Sequence, residues 1–229
     1  MRVLVGSGAV PDAPDLRTRL VAAAEQLFFE RGLDGVSLRE INAAAGARNA
    51  SAVQYHLGGR DGVIAAVLEK HAPEVEARRH ALLDAAQDEP ELRAVVAAYV
   101  RPLAVKLGDA DGGPGYLQVL ADLATAPGER ALRLLGGVES SSTARWRTAV
   151  APFMPAGAVE LHRRFTAMQF THVELARRAH ERGVRADHRL FTSHLVDLVA
   201  GLLGAPVSGE TARLVEARDA RRAARTGRS

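Results

Sequence analysis

Residues 37–61 read SLREINAAAGARNASAVQYHLGGRD, and the reading of this stretch decides the fold. Ser37 and Glu40 have the S-x-x-E spacing of a capping box, which satisfies otherwise orphaned amides at a helix start. Val36 before the cap and Ile41 after it have the spacing of a hydrophobic staple, and Leu38, Ile41 and Ala45 fall on one helical face. Gly46 stands where a left-handed stop is wanted. Asn49 is a good N-cap for a second helix, Ala50 to Leu57, with Ala52 and Val53 turned inward and Ser51, Gln54 and Tyr55 outward. Two short helices around a tight turn, then Tyr55, His56 and a glycine-arginine corner, suit a helix laid in a DNA major groove with phosphate-binding groups at its end. A helix of about eight residues is marginal alone, so a third helix must support it.

That helix lies just upstream. LRTRLVAAAEQLFFERG, Leu16 to Gly32, places Leu16, Leu20, Ala23, Ala24, Leu27 and Phe28 on one stripe, with Asp15 as N-cap and Gly32 as stop. The three helices with that stripe inside are expected to make a small independent core.

AAAEQLFFERGLDGVSLREINAAAG, residues 22–46, followed by YHLGGRDGV, residues 55–63, resembles the TetR family of bacterial transcriptional regulators over roughly residues 15–70. Three departures stand out. The turn between Gly46 and Asn49 is one residue longer than the common pattern, with Arg48 as the extra residue. Leu57 stands for an aromatic, and Asn42 for a small alanine. The resemblance implies an all-α protein, with an N-terminal helix-turn-helix DNA-binding domain and a C-terminal helical domain that binds a ligand and dimerises. The expected organisation is a flexible arm at 1–14, the DNA-binding domain at 15–60, the regulatory domain with its linker helix at 61–207 and a basic tail at 208–229.

Composition fits a cytoplasmic regulator. The chain has 229 residues and no cysteine, which leaves no disulfide framework and no thiolate metal site. No apolar run reaches the ~18 residues that span a bilayer, so no membrane partner is expected. Net charge is +3, which favours a polyanion. Residues 15–70 nevertheless carry seven basic and seven acidic side chains, so the basic ones must be sorted onto one face. Residues 212–229 hold six arginines against Glu216 and Asp219, and read as a frayed, solvated helix end or a supplementary DNA-contacting arm.

The remainder reads as helix after helix. Asp61 to Ala86 is long, with Pro73 expected to kink or break it. Helices are expected over Pro90–Lys106, Tyr116–Ala126, Glu129–Leu135, Ser142–Val150, Ala156–Arg182 and Asp187–Leu203, the last with Leu190, Phe191, His194, Leu195, Leu198, Val199 and Leu202 on one stripe. Gly108 to Gly115 is the best hinge in the chain. The last two helices are apolar enough to need a partner, within the protomer or across a four-helix interface between two protomers. The resemblance favours the homodimer, with Phe165, Met168, His172, Phe191, Leu195 and Leu198 at the seam.

At the DNA, Gln54 is long enough to pair bidentately with adenine, or else to meet a phosphate or a water. Arg48 reaches a guanine edge or a phosphate, and Ser51 either contacts a base or simply stands for a small residue close to the groove. Tyr55, His56 and Arg60 match family positions that bind the sugar-phosphate backbone; Ser37, Asn49 and Thr18 complete the set. The resemblance also implies an unidentified small-molecule effector, with Tyr99, Tyr116, Gln118, Trp146, Phe153 and Gln169 as candidate lining. Few aromatics and few buried charges point to an apolar or weakly polar effector.

Enzyme readings find no support. Gly6-x-Gly8 mimics a dinucleotide-binding turn, but Pro11 occupies the third glycine position. His162, His172 and His180 lack metal-ligand spacing, there is no G-x-S-x-G elbow or P-loop, and no cofactor is expected. The reading is a homodimeric, ligand-responsive repressor of a palindromic double-stranded DNA operator. The alternative is a diverged helical sensor with weak or no specific DNA binding.

Overall fold

A computed structural model describes residues 15–49, 51–126, 141–159, 161–182 and 186–226. The expected arm at 1–14 and the expected helix at Glu129–Leu135 lie outside these residues. The described chain is all helical. Helix α1 spans Leu16–Arg31, α2 Leu38–Ala44, α3 Ala52–Leu57, α4 Arg60–Ala85, α5 Leu92–Ala104, α6 Gly113–Thr125, α7 Ser141–Val150, α8 Arg163–Arg182, α9 Arg189–Gly204 and α10 Gly209–Thr226. Short 3₁₀ turns follow α5 and α7, at Val105–Gly108 and Ala151–Phe153.

The local signals that set the first three helices hold. Asp15 accepts from the Thr18 amide at 2.7 Å. Ser37 and Glu40 form the full capping box. Gly46, at φ +65°, ends α2 in a Schellman arrangement: its amide donates to Ala43 O, and the Ala47 amide to Asn42 O. Helix α3 starts later than Asn49 predicts. Asn49 Oδ1 instead accepts from the Ser51 amide at 2.9 Å, and Ser51 occupies the N-cap without a side-chain bond.

The missing cap is supplied from outside the helix. Asn42, buried on α2, accepts from the Val53 amide through Oδ1 at 3.0 Å. Helix α3 has no side-chain cap of its own, and Asn42 caps it across the helix pair.

The three-helix core is not independent. One hydrophobic cluster runs from Leu20, Phe28 and Ile41 through α4 to Leu117, Trp146 and Leu203. Helix α1 has a second buried face: Val21 and Glu25 join Leu20, Ala24 and Phe28 inside, because α1 packs along α6. Helix α4 leads from the first three helices to α5 and α7; α6 packs on α8, and α5 on α9.

Several expected boundaries move. Helix α4 continues through Pro73; the carbonyl that loses its donor belongs to exposed Glu69, where water can satisfy it. Helix α8 begins at Arg163 and not at Ala156, since Gly157 (φ +80°) and His162 (φ +55°) stand in left-handed conformations that no helix accommodates. Within the expected hinge Gly108–Gly115, the end Gly113–Gly115 is buried in a close-packed crossing, while Gly108, Ala110 and Asp111 are exposed. A Cβ on Gly115 would lie 2.2 Å from Glu25 O, so only glycine lets α6 approach the backbone of α1. The basic tail forms its own helix, α10, with most of its side chains exposed. No single described helix is long and apolar enough to cross a membrane.

Candidate nucleic-acid interface and regulatory core

Ala52, Val53 and Leu57 anchor α3 inward, and this leaves Ser51, Gln54, Tyr55 and His56 exposed on its outer side. Tyr55 is 85% exposed, an unusual placement for a large aromatic with nothing to cover it. Its ring meets His56 edge-on, with centroids 5.0 Å apart. Arg48 and Asn49 are exposed in the preceding turn, and Thr18 in the first turn of α1. The corner after α3 requires Gly58 and Gly59, at φ +74° and +96°.

Two expected phosphate ligands are otherwise engaged. The Ser37 hydroxyl donates to Glu40 Oε2 at 2.7 Å and accepts from the Glu40 amide. The Ser37 hydroxyl and then Arg31, 2.6 Å from Glu40 Oε1, hold the Glu40 carboxyl at about 2. A carboxylate fixed there repels a phosphate. Arg60 turns back to the loop between α1 and α2. It donates through Nη1 to Val36 O at 2.7 Å and through Nη2 to Leu33 O. It ties the start of α4 to that loop, which a lysine point charge does less well than a planar fork.

Polar contacts join this unit to the rest of the chain. Glu25, 2% exposed, accepts from Lys70 Nζ and meets His71 Nε2, both at 2.8 Å. Lys70 also donates to Asp111 Oδ1 at 2.8 Å. Burial lowers the Lys70 pKa, but the bonds to Asp111 and Glu25 outweigh it and the net displacement is upward. Buried Lys106 is met by Asp109 at 2.8 Å and by Glu74. At the end of α1, the Leu33 amide donates to Asp122 Oδ2 at 2.7 Å, Gln118 Nε2 donates to Asp122 Oδ1 at 2.7 Å, and His180 meets Gln118 at 3.0 Å while stacking on Phe29.

The candidate effector residues separate. Tyr99, Tyr116 and Trp146 are buried in the C-terminal core, with the Tyr99 and Trp146 rings 4.5 Å apart. Gln118 belongs to the contact with α1, and Phe153 and Gln169 are half-buried. The same core holds polar groups that the sequence reading left out: Arg79 of α4, and Ser142 and Thr143 of α7. Arg79 was visible as a cation on the buried stripe Val75, Arg79, Leu83. Burial, and then Arg79, press the His172 imidazole down to about 3, and burial lifts the Tyr99 hydroxyl to about 12. Both are neutral at pH 7.

The proposed seam residues also divide, and two are corrected. His172 is buried within the protomer, its Nε2 2.9 Å from Tyr99 OH, and Leu195 is buried with Val196, Val199 and Leu203. Neither can face a partner. The stripe expected on α9 is two faces: one points inward, and Leu190, Phe191, His194 and Leu198 line the other. Leu190, Leu198 and Phe165 are exposed, Met168 and Phe191 half-buried. An open depression of about 650 Å³, lined by Arg178, Arg182, Asp187, Leu190, Phe191, Ser193, His194 and Asp197, lies on this outer face and away from the aromatic core.

Solved structures share this architecture. A tetR-family regulatory protein from Rhodococcus RHA1 superposes with a TM-score of 0.56 at 16% identity, over 85% of this chain and 100% of that one. The TetR family transcriptional regulator PfmR from Thermus thermophilus gives 0.50 at 16%, over 82% and 100%. AibR, solved with isovaleryl coenzyme A and operator DNA, gives 0.51 at 16%, over 84% and 100%. No family model matches the sequence, and no curated protein does. At such identities the likeness is one of fold: the chain is built as TetR-family regulators are.

Proposed function

We propose that the chain is a DNA-binding transcriptional regulator, a cytoplasmic homodimer that reads a palindromic operator and releases it on binding a small molecule. The observation that carries this reading is α3. It is a short helix held by a cap from its neighbour, and its outward side chains are polar or aromatic and exposed. Gln54 reads a base edge, with Ser51 and Arg48 beside it. Tyr55, His56, Asn49 and Thr18 meet the sugar-phosphate backbone. Arg60 reaches phosphate with the N–H groups that its two carbonyl partners leave over. Ser37 contributes by fixing α2. The exposed outer faces of α8 and α9, with Phe165, Leu190 and Leu198, support a two-fold interface. Two copies of α3 about one turn of B-DNA apart, roughly 34–36 Å, then address the two halves of a palindrome.

The domain division follows: residues 15–60 bind DNA, 61–207 sense and dimerise, and 208–229 form a basic appendage. Repression is the simplest outcome, because a dimer on a promoter blocks polymerase without further contacts.

The test is selection of bound fragments from genomic DNA, followed by titration at several salt concentrations. A palindrome bound tightly, with steep loss of affinity as salt rises, is expected. Gln54→Ala should then lose roughly 1–3 kcal/mol of preference at one base pair; equal loss on every sequence would refute its base-reading role. Uniformly weak binding of all fragments would favour the diverged sensor.

A further inference from the structure

Every other strongly buried charge described in this chain is matched. Glu25 has Lys70 and His71, and Lys106 has Asp109 and Glu74. Arg79 is the exception. It is 5% exposed, and among the described residues no carboxylate stands within ion-pairing distance of its guanidinium. Nη1 donates at 3.0 Å to both Ser142 Oγ and Thr143 Oγ1, in the first turn of α7, and the Tyr99 ring lies 4.8 Å beneath the guanidinium. Arg79 Nε and His172 Nδ1 are buried with no partner. A buried donor left unmade, on a buried cation left without an anion, is costly to the fold and calls for an explanation.

The groups around it define what is missing. Two hydroxyls, a tyrosine, a neutral imidazole and the positive end of α7 all tolerate or favour an anion. Among the described residues Arg79 is the one strongly buried cation of this core, so a single negative charge balances it and a phosphate dianion does not. The flanking Tyr99, Tyr116 and Trp146 are neutral and aromatic. We infer that the effector is a small organic carboxylate with an apolar body, bound in this core with its carboxylate on Arg79 and the hydroxyls of Ser142 and Thr143. Arg79 and the His71 that holds Glu25 lie two turns apart on the buried face of α4, so the same helix links this site to the first three helices.

This inference rests on the C-terminal helices being an effector domain, and it is tested apart from DNA. Trp146, the chain's one tryptophan, stands against Tyr99 and reports occupancy by its emission. The full chain is titrated with octanoate and phenylacetate, with octanamide and phenylacetamide, and with inorganic phosphate. At least one carboxylate should bind on the order of ten-fold or more tighter than its amide, as expected for charge-assisted hydrogen bonds, with phosphate weaker than both. Arg79→Met should abolish the preference. Where that variant does not fold, Thr143→Val should weaken the carboxylate severalfold and leave the amide unchanged.

No preference for either carboxylate in the unmodified chain overturns the inference. So does tighter binding of phosphate, or a preference that survives Arg79→Met. Failure to bind DNA leaves these titrations as they stand. Carboxylate binding that does not alter the affinity for a selected operator upholds the site and removes its regulatory role.

Discussion

Replacing Asn42 with alanine restores the residue most often seen at this position of the resembled family, yet it should damage this chain. Asn42 Oδ1 is the acceptor for the Val53 amide, and α3 has no side-chain cap of its own. The substitution strips a buried amide of its partner, about 1–3 kcal/mol, comparable with the upper range for losing an N-cap, about 2 kcal/mol. For a chain of this length each kcal/mol lowers Tm by roughly 2–4 °C, so a fall of about 3–10 °C is expected in a calorimetric or far-ultraviolet melt. Asn42→Asp, which keeps the acceptor, should lose less. The sharper test removes Arg48 as well. If the asparagine compensates for the long turn, deleting Arg48 should cost less in the Asn42→Ala background than in the unmodified chain, so that the double mutant loses less than the sum of the two single losses. Additive losses, or an Asn42→Ala melt that matches the parent, would refute the compensation.

Three further outcomes are expected. Arg60→Ala should lower stability to denaturant by about 1–3 kcal/mol in the absence of DNA, since it strands the carbonyls of Leu33 and Val36; unchanged stability would restore a purely phosphate-binding role. Gly115→Ala pushes a methyl to within 2.2 Å of Glu25 O and should cost about 1–3 kcal/mol or more by forcing α1 from α6, again read by denaturant titration. His172 has a folded value of about 3 against an ordinary 6.5, so the unfolded chain takes up its proton first as pH falls. Its contribution is complete above about pH 6.5 and drains away toward pH 3, at ~1.4 kcal/mol per pH unit and on the order of 3–5 kcal/mol in all. Urea titrations from pH 7 down to 5 should show that slope, and His172→Gln should flatten it.

The N-terminal unit was legible because its signals are local. A capping box, an αL glycine and an amphipathic stripe each act within a few residues, and the structure bears out all three at Ser37, Gly46 and Leu20. What escaped the sequence depends on residues far apart in the chain. Asn42 looked like a misfit until Val53 stood opposite it. Arg60 looked like a surface cation because the carbonyls that hold it lie 24 and 27 residues earlier. On α9 the helical period puts the apolar residues on one stripe, but Leu195 and Leu198 belong to different faces. Period alone does not say which of two apolar faces a neighbour covers.

The crossing of α1 and α6 carries a mechanical consequence. Helix α6 holds α1 and its exit at two places, at Gly115 against the Glu25 backbone and, seven residues on, at Asp122 against the Leu33 amide just past the end of α1. One point of attachment would act as a swivel. Two points along an axis fix a direction, and close-packed backbone leaves no slack to take up small strains. A shift of α6 that kept both attachments would have to carry α1 with it, so the pair behaves as one lever and not as two.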